Sequence, residues 1–160
     1  MDKGNKQFFV LAHNIRSLLN VGSIFRTCDS LGVSKLFLSG YTATPTSNHK
    51  LSKTALGAEK FVPWEYNKSA KRLIGSLKKQ YPGLVVVGLE NNLESKQLQT
   101  LFAFKPKFPL LLILGEEVKG IPKPVRDLCD KFVEIPMLGQ KESLNVAVAL
   151  GIAAYTITHK

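Results

Sequence analysis

Two uninterrupted apolar runs, Val85-Val86-Val87 and Leu110-Leu111-Leu112-Ile113-Leu114, constrain this chain more than anything else in it. A strand with one wet face alternates apolar and polar residues. A strand that is apolar on both sides is covered on both, as in a parallel sheet between two layers of helix. Phe8–Ala12, Lys35–Ser39, Leu84–Leu89, Leu110–Leu114 and Phe132–Ile135 read as strands, separated by longer stretches of helical period. The pattern predicts an α/β fold, a predominantly parallel sheet with helices on both faces. With 160 residues, 44% of them hydrophobic, the chain is expected to form a single domain over residues 1–160. A chain of this size buries roughly 70% of its unfolded surface and needs no disulfide or structural metal.

Four helices are predicted. Asn20–Leu31 places Ile24, Cys28 and Leu31 on one face and Arg26 opposite, with Asn20 as N-cap and Gly32 as terminator. Asn67–Gln80 stripes Ala70, Leu73, Ile74 and Leu77 against a lysine-rich face and ends at Pro82-Gly83. A short helix is expected over Pro124–Lys131. The last, Leu144–Thr158, is apolar nearly all round, with Leu144, Val148, Ile152 and Tyr155 on one side and Leu150, Ala153 and Ala154 on another. A terminal helix apolar on both sides needs two partners, and a second copy of the chain is the expected one, a helix sunk wholly in the monomer core the alternative. Gly40–Trp64 lacks clear periodicity and reads as a long functional loop.

Charge narrows the partner. Twenty-two Lys and Arg against twelve Asp and Glu give a net +10. The first 80 residues hold 13 of the cations and 4 of the acids, a surplus of 9, which points to a polyanion such as nucleic acid. Two cysteines and three histidines offer neither a disulfide framework nor zinc spacing, and no run of about 18 apolar residues spans a membrane. A reduced, cytoplasmic protein without metal is expected. No G-x-G-x-x-G, Gly-Lys-Ser/Thr, HExxH or G-x-S-x-G occurs, which disfavours the common nucleotide, metalloprotease and serine-hydrolase chemistries.

Three segments carry polar residues that a plain core does not require. Asn20-Val-Gly22-Ser-Ile24-Phe-Arg26 begins a helix after the first strand; the alternative to a functional role is a cap and a surface Arg26–Asp29 pair. Gly115-Glu116-Glu117-Val118-Lys119-Gly120 follows a buried strand, at the edge where open α/β sheets bind ligands, and equally suits a glycine turn with solvated acids. Ile135-Pro136-Met137-Leu138-Gly139 through Ser143-Leu144-Asn145-Val146 runs from a strand end into the last helix, where Ser143 or Asn145 can cap the helix or hold a ligand's polar end.

In this order the three segments resemble the motifs of the SpoU-type, or TrmH-type, RNA ribose 2'-O-methyltransferases of the SPOUT superfamily. N-x-G-x-I-x-R is matched by Asn20, Gly22, Ile24 and Arg26, and G-x-E-x-x-G by Gly115, Glu117 and Gly120. The third motif is matched by Ile135, Pro136, Met137, Gly139, Ser143, Leu144, Asn145 and Val146. The resemblance runs from Phe8 to Tyr155. It implies a deep C-terminal trefoil knot, S-adenosylmethionine held largely by backbone around Leu89, Gly115, Ile135, Met137 and Leu144, and a homodimer packed through the knot and last helix. It implies catalytic roles for Arg26, Asn20, Glu117, Ser143 and Asn145. On that resemblance Arg26 is either a base or an electrostatic stabiliser of the developing alkoxide, and a composite site in which it serves the other subunit's cofactor is implied. With Arg26, the long-loop lysines Lys50, Lys53 and Lys60 are the candidate RNA contacts, and Trp64 and Tyr66 just beyond are the candidate base-stacking residues, with a place at the edge of the core the alternative for Trp64.

Nothing but one strand precedes the first motif, so a minimal catalytic core is expected. Transfer RNA is the expected substrate and ribosomal RNA the alternative. The rival readings are a base methyltransferase of the same superfamily, which Arg26 disfavours, and a noncatalytic RNA-binding module, which would not require Asn20, Arg26, Glu117, Ser143 and Asn145 together.

Overall fold

The computed structural model describes residues 6–91 and 93–160. Its seven strands are β1 (Phe8–His13), β2 (Lys35–Ser39), β3 (Trp64–Asn67), β4 (Val85–Leu89), β5 (Leu98–Thr100), β6 (Leu110–Leu114) and β7 (Lys131–Glu134). They form one sheet in the order β3-β2-β1-β6-β4-β7-β5, and every pairing is parallel. The uninterrupted β6 run lies at its centre with all five residues buried, as the absence of alternation requires.

Five helices cover both faces: α1 (Leu18–Ser30), α2 (Leu51–Ala55), α3 (Ala70–Gln80), α4 (Lys123–Arg126) and α5 (Val146–Thr158). One core joins Val10, Leu38 and Leu112 of the sheet to Ile24 and Phe25 of α1, Leu51 of α2 and Leu150 of α5. The opposite core joins Leu11, Phe37 and Leu111 to Leu73 and Ile74 of α3 and Val125 of α4. Alternate residues of one strand feed opposite layers, as the period of two demands.

Several boundaries depart from the sequence reading. Ser17, not Asn20, caps α1: its hydroxyl accepts from the Asn20 N–H at 3.3 Å, leaving the Asn20 amide inside the first turn and free for other work. Ser69 plays the same part for α3, which therefore starts three residues after Asn67. The predicted Pro124–Lys131 helix is the four-residue α4, and its last residue, Lys131, opens β7. The Gly40–Trp64 segment contains α2, a 3-10 turn at Ala58–Lys60 and the start of β3. Strand β5, at the sheet edge, has no apolar run to announce it.

Gly22 acquires a specific reason. A Cβ at this position would stand 2.0 Å from Thr54 Oγ1 and 2.6 Å from the Thr54 carbonyl carbon. Thr54 in turn donates to the Leu18 carbonyl at 3.1 Å. Glycine lets α2 lie directly against α1, and the "loop" becomes part of the framework that presents α1.

Candidate functional site at the carboxyl edge of the sheet

Strands β6, β4 and β7 end beside one another, and the segments leaving them enclose a cleft of about 290 Å³. Leu89, Leu114, Ile135, Leu144 and Val146 supply apolar wall, while Glu90, Glu116, Glu117 and Glu142 bring carboxylates to its lining. Its size lies near the lower end of small-molecule sites, roughly 300–1,000 Å³. Gly115 and Gly120 bring bare backbone to the lining. A Cβ at Gly115 would lie 2.4 Å from both the Gly120 carbonyl carbon and the Ile121 nitrogen, so only glycine lets the Glu116–Gly120 turn fold back on itself. That turn is closed by two backbone bonds between residues 116 and 120, at 3.1 and 2.9 Å.

Two residues unforeseen from the sequence hold the cleft together. Glu90, following β4, accepts the Ile121 N–H at 2.8 Å through Oε2, and its carboxylate occupies the space that a Gly120 side chain would need. Desolvation raises the pKa of Glu90, against the backbone N–H groups of Ile121 and Asn91 and the Arg126 charge, which lower it. Asn91 grips the end of β7 with both amide atoms: Nδ2 donates to the Ile135 carbonyl at 2.9 Å and Oδ1 accepts the Ile135 N–H at 3.2 Å. The only available signal was a polar pair directly after a buried strand at the ligand-binding edge.

The three motifs meet through one hydrogen-bonded chain. Asn145 Oδ1 caps α5, accepting from the Ala147 N–H at 2.9 Å and the Val148 N–H at 3.3 Å. This commits Asn145 Nδ2 to donate, which it does to Asn20 Oδ1 at 3.0 Å. Asn20 Nδ2 then donates to Glu117 Oε1 at 3.0 Å. Each amide's orientation follows from its neighbour's, and the chain ends on a carboxylate that only accepts. Residues 97 and 125 positions apart are thereby fixed to one another.

Of the other predicted residues, Leu89, Gly115, Ile135, Ser143 and Leu144 line the cleft, whereas Met137 borders an adjoining depression with Asn91, Gly139 and Gln140. Arg26 stands elsewhere, exposed in a shallow groove between α1 and α5 lined by Ser23, Thr27, Ser30, Gly151 and Tyr155. Among the described residues no ion pair joins it to Asp29. Lys50, Lys53 and Lys60 are exposed. Trp64 is half-buried, edge-on to Phe25 with ring centroids 6.4 Å apart, and belongs to the core rather than to an open stacking surface.

The described residues contain no group of three or more His, Cys, Asp or Glu placed to hold a metal ion, and no helix long and apolar enough to cross a membrane. Cys28 and Cys129 are free, buried thiols whose pKa values are raised by desolvation, that of Cys129 to about 12.

Known proteins share this fold. The 23S rRNA (guanosine-2'-O-)-methyltransferase RlmB of Pseudomonas aeruginosa is 33% identical over 138 residues, covering 86% of this chain and 53% of the relative. The SpoU methyltransferase AviRb of Streptomyces viridochromogenes, solved with AdoMet, superposes with a TM-score of 0.85 at 28% identity, covering 96% of this chain and 57% of the other. A structure described as giving insight into the 2-OH methylation of C/U34 on tRNA gives 0.78 at 26% identity, covering 95% of this chain and 94% of its own. The chain thus spans about half the length of its RlmB relative. The SpoU rRNA Methylase family model matches residues 7–155, motif chain and cleft included, and the protein belongs to that family.

Proposed function

We propose that the chain is an S-adenosylmethionine-dependent RNA ribose 2'-O-methyltransferase. The observation that carries this reading is the Asn145–Asn20–Glu117 chain, which ties all three motifs to the rim of one cleft. A binding module needs no such alignment of buried-strand ends with an amide–amide–carboxylate relay.

The cleft fits the cofactor by its own chemistry. Apolar Leu89, Leu114, Ile135 and Leu144 suit an adenine ring, the glycine-lined backbone allows close approach, and the carboxylates suit the positive charges of a sulfonium and an ammonium. S-adenosylmethionine supplies a methyl group made electrophilic by the sulfonium. Leu89, Gly115, Ile135 and Leu144 hold that ligand, with Met137 at the adjoining depression. Ser143 and the Asn20–Asn145 pair present polar groups at the rim that orient a ribose. Arg26, whose guanidinium has donors and no acceptor, stabilises the charge that develops on the 2'-oxygen.

Arg26 shares its groove with Tyr155 of α5, and α5 exposes Val148, Ile152 and Tyr155 by 52%, 41% and 58%. A homodimer packed through α5 covers this face and brings Arg26 to the partner's cleft. The trefoil knot of the family is consistent with the strand order, in which β6 inserts between β1 and β4 and the segment after β7 is gripped by Asn91. Transfer RNA is the proposed substrate, because the tRNA-linked structure is matched over 94% of its length and RlmB over 53%. Free, buried cysteines suit the cytoplasm, where that RNA resides.

The test is transfer of labelled methyl from S-adenosylmethionine to total cellular RNA, followed by alkaline hydrolysis. The expected label lies in alkali-resistant dinucleotides, because a methylated 2'-oxygen cannot attack the neighbouring phosphate. Arg26→Ala is expected to lower the rate by roughly 100-fold or more, the scale of removing one charge-stabilising donor, with cofactor binding retained. Label in ordinary mononucleotides means base methylation and overturns the proposal.

A further inference from the structure

The carboxyl ends of β1, β2 and β3 carry a second constellation, apart from the cleft. His13 and Ser39 end their strands in register. Beyond them the chain turns through left-handed backbone, with φ of 56° at Asn14 and 64° at Gly40. The Asn14 N–H donates to the Ser39 carbonyl at 3.2 Å, and Asn14 Oδ1 accepts the Tyr41 N–H at 3.2 Å. A Cβ at residue 40 would stand 1.8 Å from Asn14 Oδ1, so only glycine permits the approach. The buried Thr42 hydroxyl donates to the Ala12 carbonyl at 3.1 Å and accepts the Ile15 N–H at 3.0 Å. Four bonds thus lock the segment after β2 onto the segment after β1.

What this lock holds outward is an aromatic ring. Tyr41 is 49% exposed, and the Arg16 guanidinium lies 5.6 Å from its ring centroid. Tyr66, 42% exposed at β3, donates its hydroxyl to the Gly40 carbonyl at 2.7 Å. Burial does not explain a tyrosine kept half in water on a loop fixed by a left-handed asparagine and a buried hydroxyl. A rigid ring beside a guanidinium is the equipment for stacking a nucleobase and pairing its phosphate. Its location fits too: β2 is two strands from β6, or about 10 Å at the usual strand spacing, and Arg16 precedes Asn20 by four residues. The platform belongs to the half of the chain that carries the surplus of 9 positive charges.

We propose that Tyr41, with Arg16 against its ring and Tyr66 bracing Gly40, stacks an unpaired base of the RNA next to the nucleotide whose ribose is methylated. This rests on the RNA methyltransferase reading. It gives Tyr41 the stacking role for which Trp64 is too deeply packed.

The experiment measures methyl transfer to unfractionated transfer RNA at varied RNA concentration, with filter binding of the same RNA. Tyr41→Leu is expected to raise KM and Kd for RNA by roughly 5- to 100-fold, the range for losing one stacked base, and Tyr41→Phe by less than about twofold. Arg16→Gln is expected to fall between them. Saturating kcat, cofactor affinity and Tm are expected to stay close to wild type. Unchanged RNA affinity in Tyr41→Leu and Arg16→Gln overturns the platform while leaving the methyltransferase standing, and so does Tyr41→Phe failing as badly as Tyr41→Leu. A matching loss of cofactor affinity or Tm would show a merely structural role and also overturns it. If wild type transfers no methyl to any RNA, the methyltransferase reading fails, and filter binding alone then decides whether Tyr41 holds a base.

Discussion

The cleft above β6, β4 and β7 and the groove between α1 and α5 are built from opposite materials. The cleft is closed within one chain: backbone turns that admit only glycine, a carboxylate on a backbone N–H, and amides whose every orientation is dictated by a neighbour. The groove has Arg26 exposed beside Tyr155 of a helix whose other face is already sunk in the core. Leu150, Ala153, Ala154 and Ile157 are fully buried, whereas Ile152 and Tyr155 on the same helix remain 41% and 58% exposed. A site made of the first kind can bind a small molecule alone. One made of the second kind is, on the reading proposed above, half of a site that a second copy completes.

The largest expected effect breaks the two regions apart. Ile152→Asp places a charge in the middle of the exposed α5 face. It is expected to convert a dimer into monomers by sedimentation and to reduce methyl transfer by about 100-fold or more, as a displaced catalytic charge does, with cofactor affinity nearly unchanged. A monomeric Ile152→Asp protein with wild-type activity would show that the groove is complete by itself, and a dimeric one that the α5 face is not the interface.

A smaller effect separates the two duties of Asn145. Serine caps helices as well as asparagine, so Asn145→Ser is expected to keep the stability of α5 while losing the bond to Asn20. Asn145→Ala loses both and is expected to lower stability by about 1 kcal/mol. Both variants are expected to lower kcat by roughly tenfold or more if the relay positions the reacting groups. Equal kcat in Asn145→Ser and wild type would reduce the relay to a cap.

The smallest effect concerns Glu90 in the cleft. Its folded-state pKa lies above the unfolded value because desolvation disfavours the charge. The folded state therefore holds its proton to higher pH, and stability falls as pH rises from about 4.3, the ordinary glutamate value, through the raised folded value. Glu90→Gln keeps an acceptor for the Ile121 N–H and has nothing to titrate. Relative to wild type it is expected to become progressively more stable across that window, which urea unfolding at a series of pH values measures. Parallel pH profiles would show that the carboxyl is better solvated than its surroundings suggest.

Much of this was legible in the sequence, for identifiable reasons. The β6 run and the α3 stripe are local records of burial, so strand and helix could be read from their periods. The motif residues announced themselves as polar groups at strand ends, and Asn20, Glu117 and Asn145 do converge. Ser17 and Asn20 are both good caps one turn apart, and composition could not choose between them. Glu90 and Asn91 carry no motif, because their partners Ile121 and Ile135 lie 31 and 44 residues away. Trp64 looked as fit for RNA as for the core until β3 placed it against Phe25.

By itself the sequence determined the alternation of strand and helix, the two-sided burial of the sheet, the basic bias of the first half and the residue types at each strand end. These depend on period and composition, which neighbours in the chain set. The tertiary structure alone decided that Asn20 joins Glu117 and Asn145 instead of capping a helix, that Gly22 exists for Thr54, and that Arg26 faces away from the cleft. Each is a contact between residues 32 to 125 positions apart or the consequence of one, and no local rule encodes which strand will lie beside which.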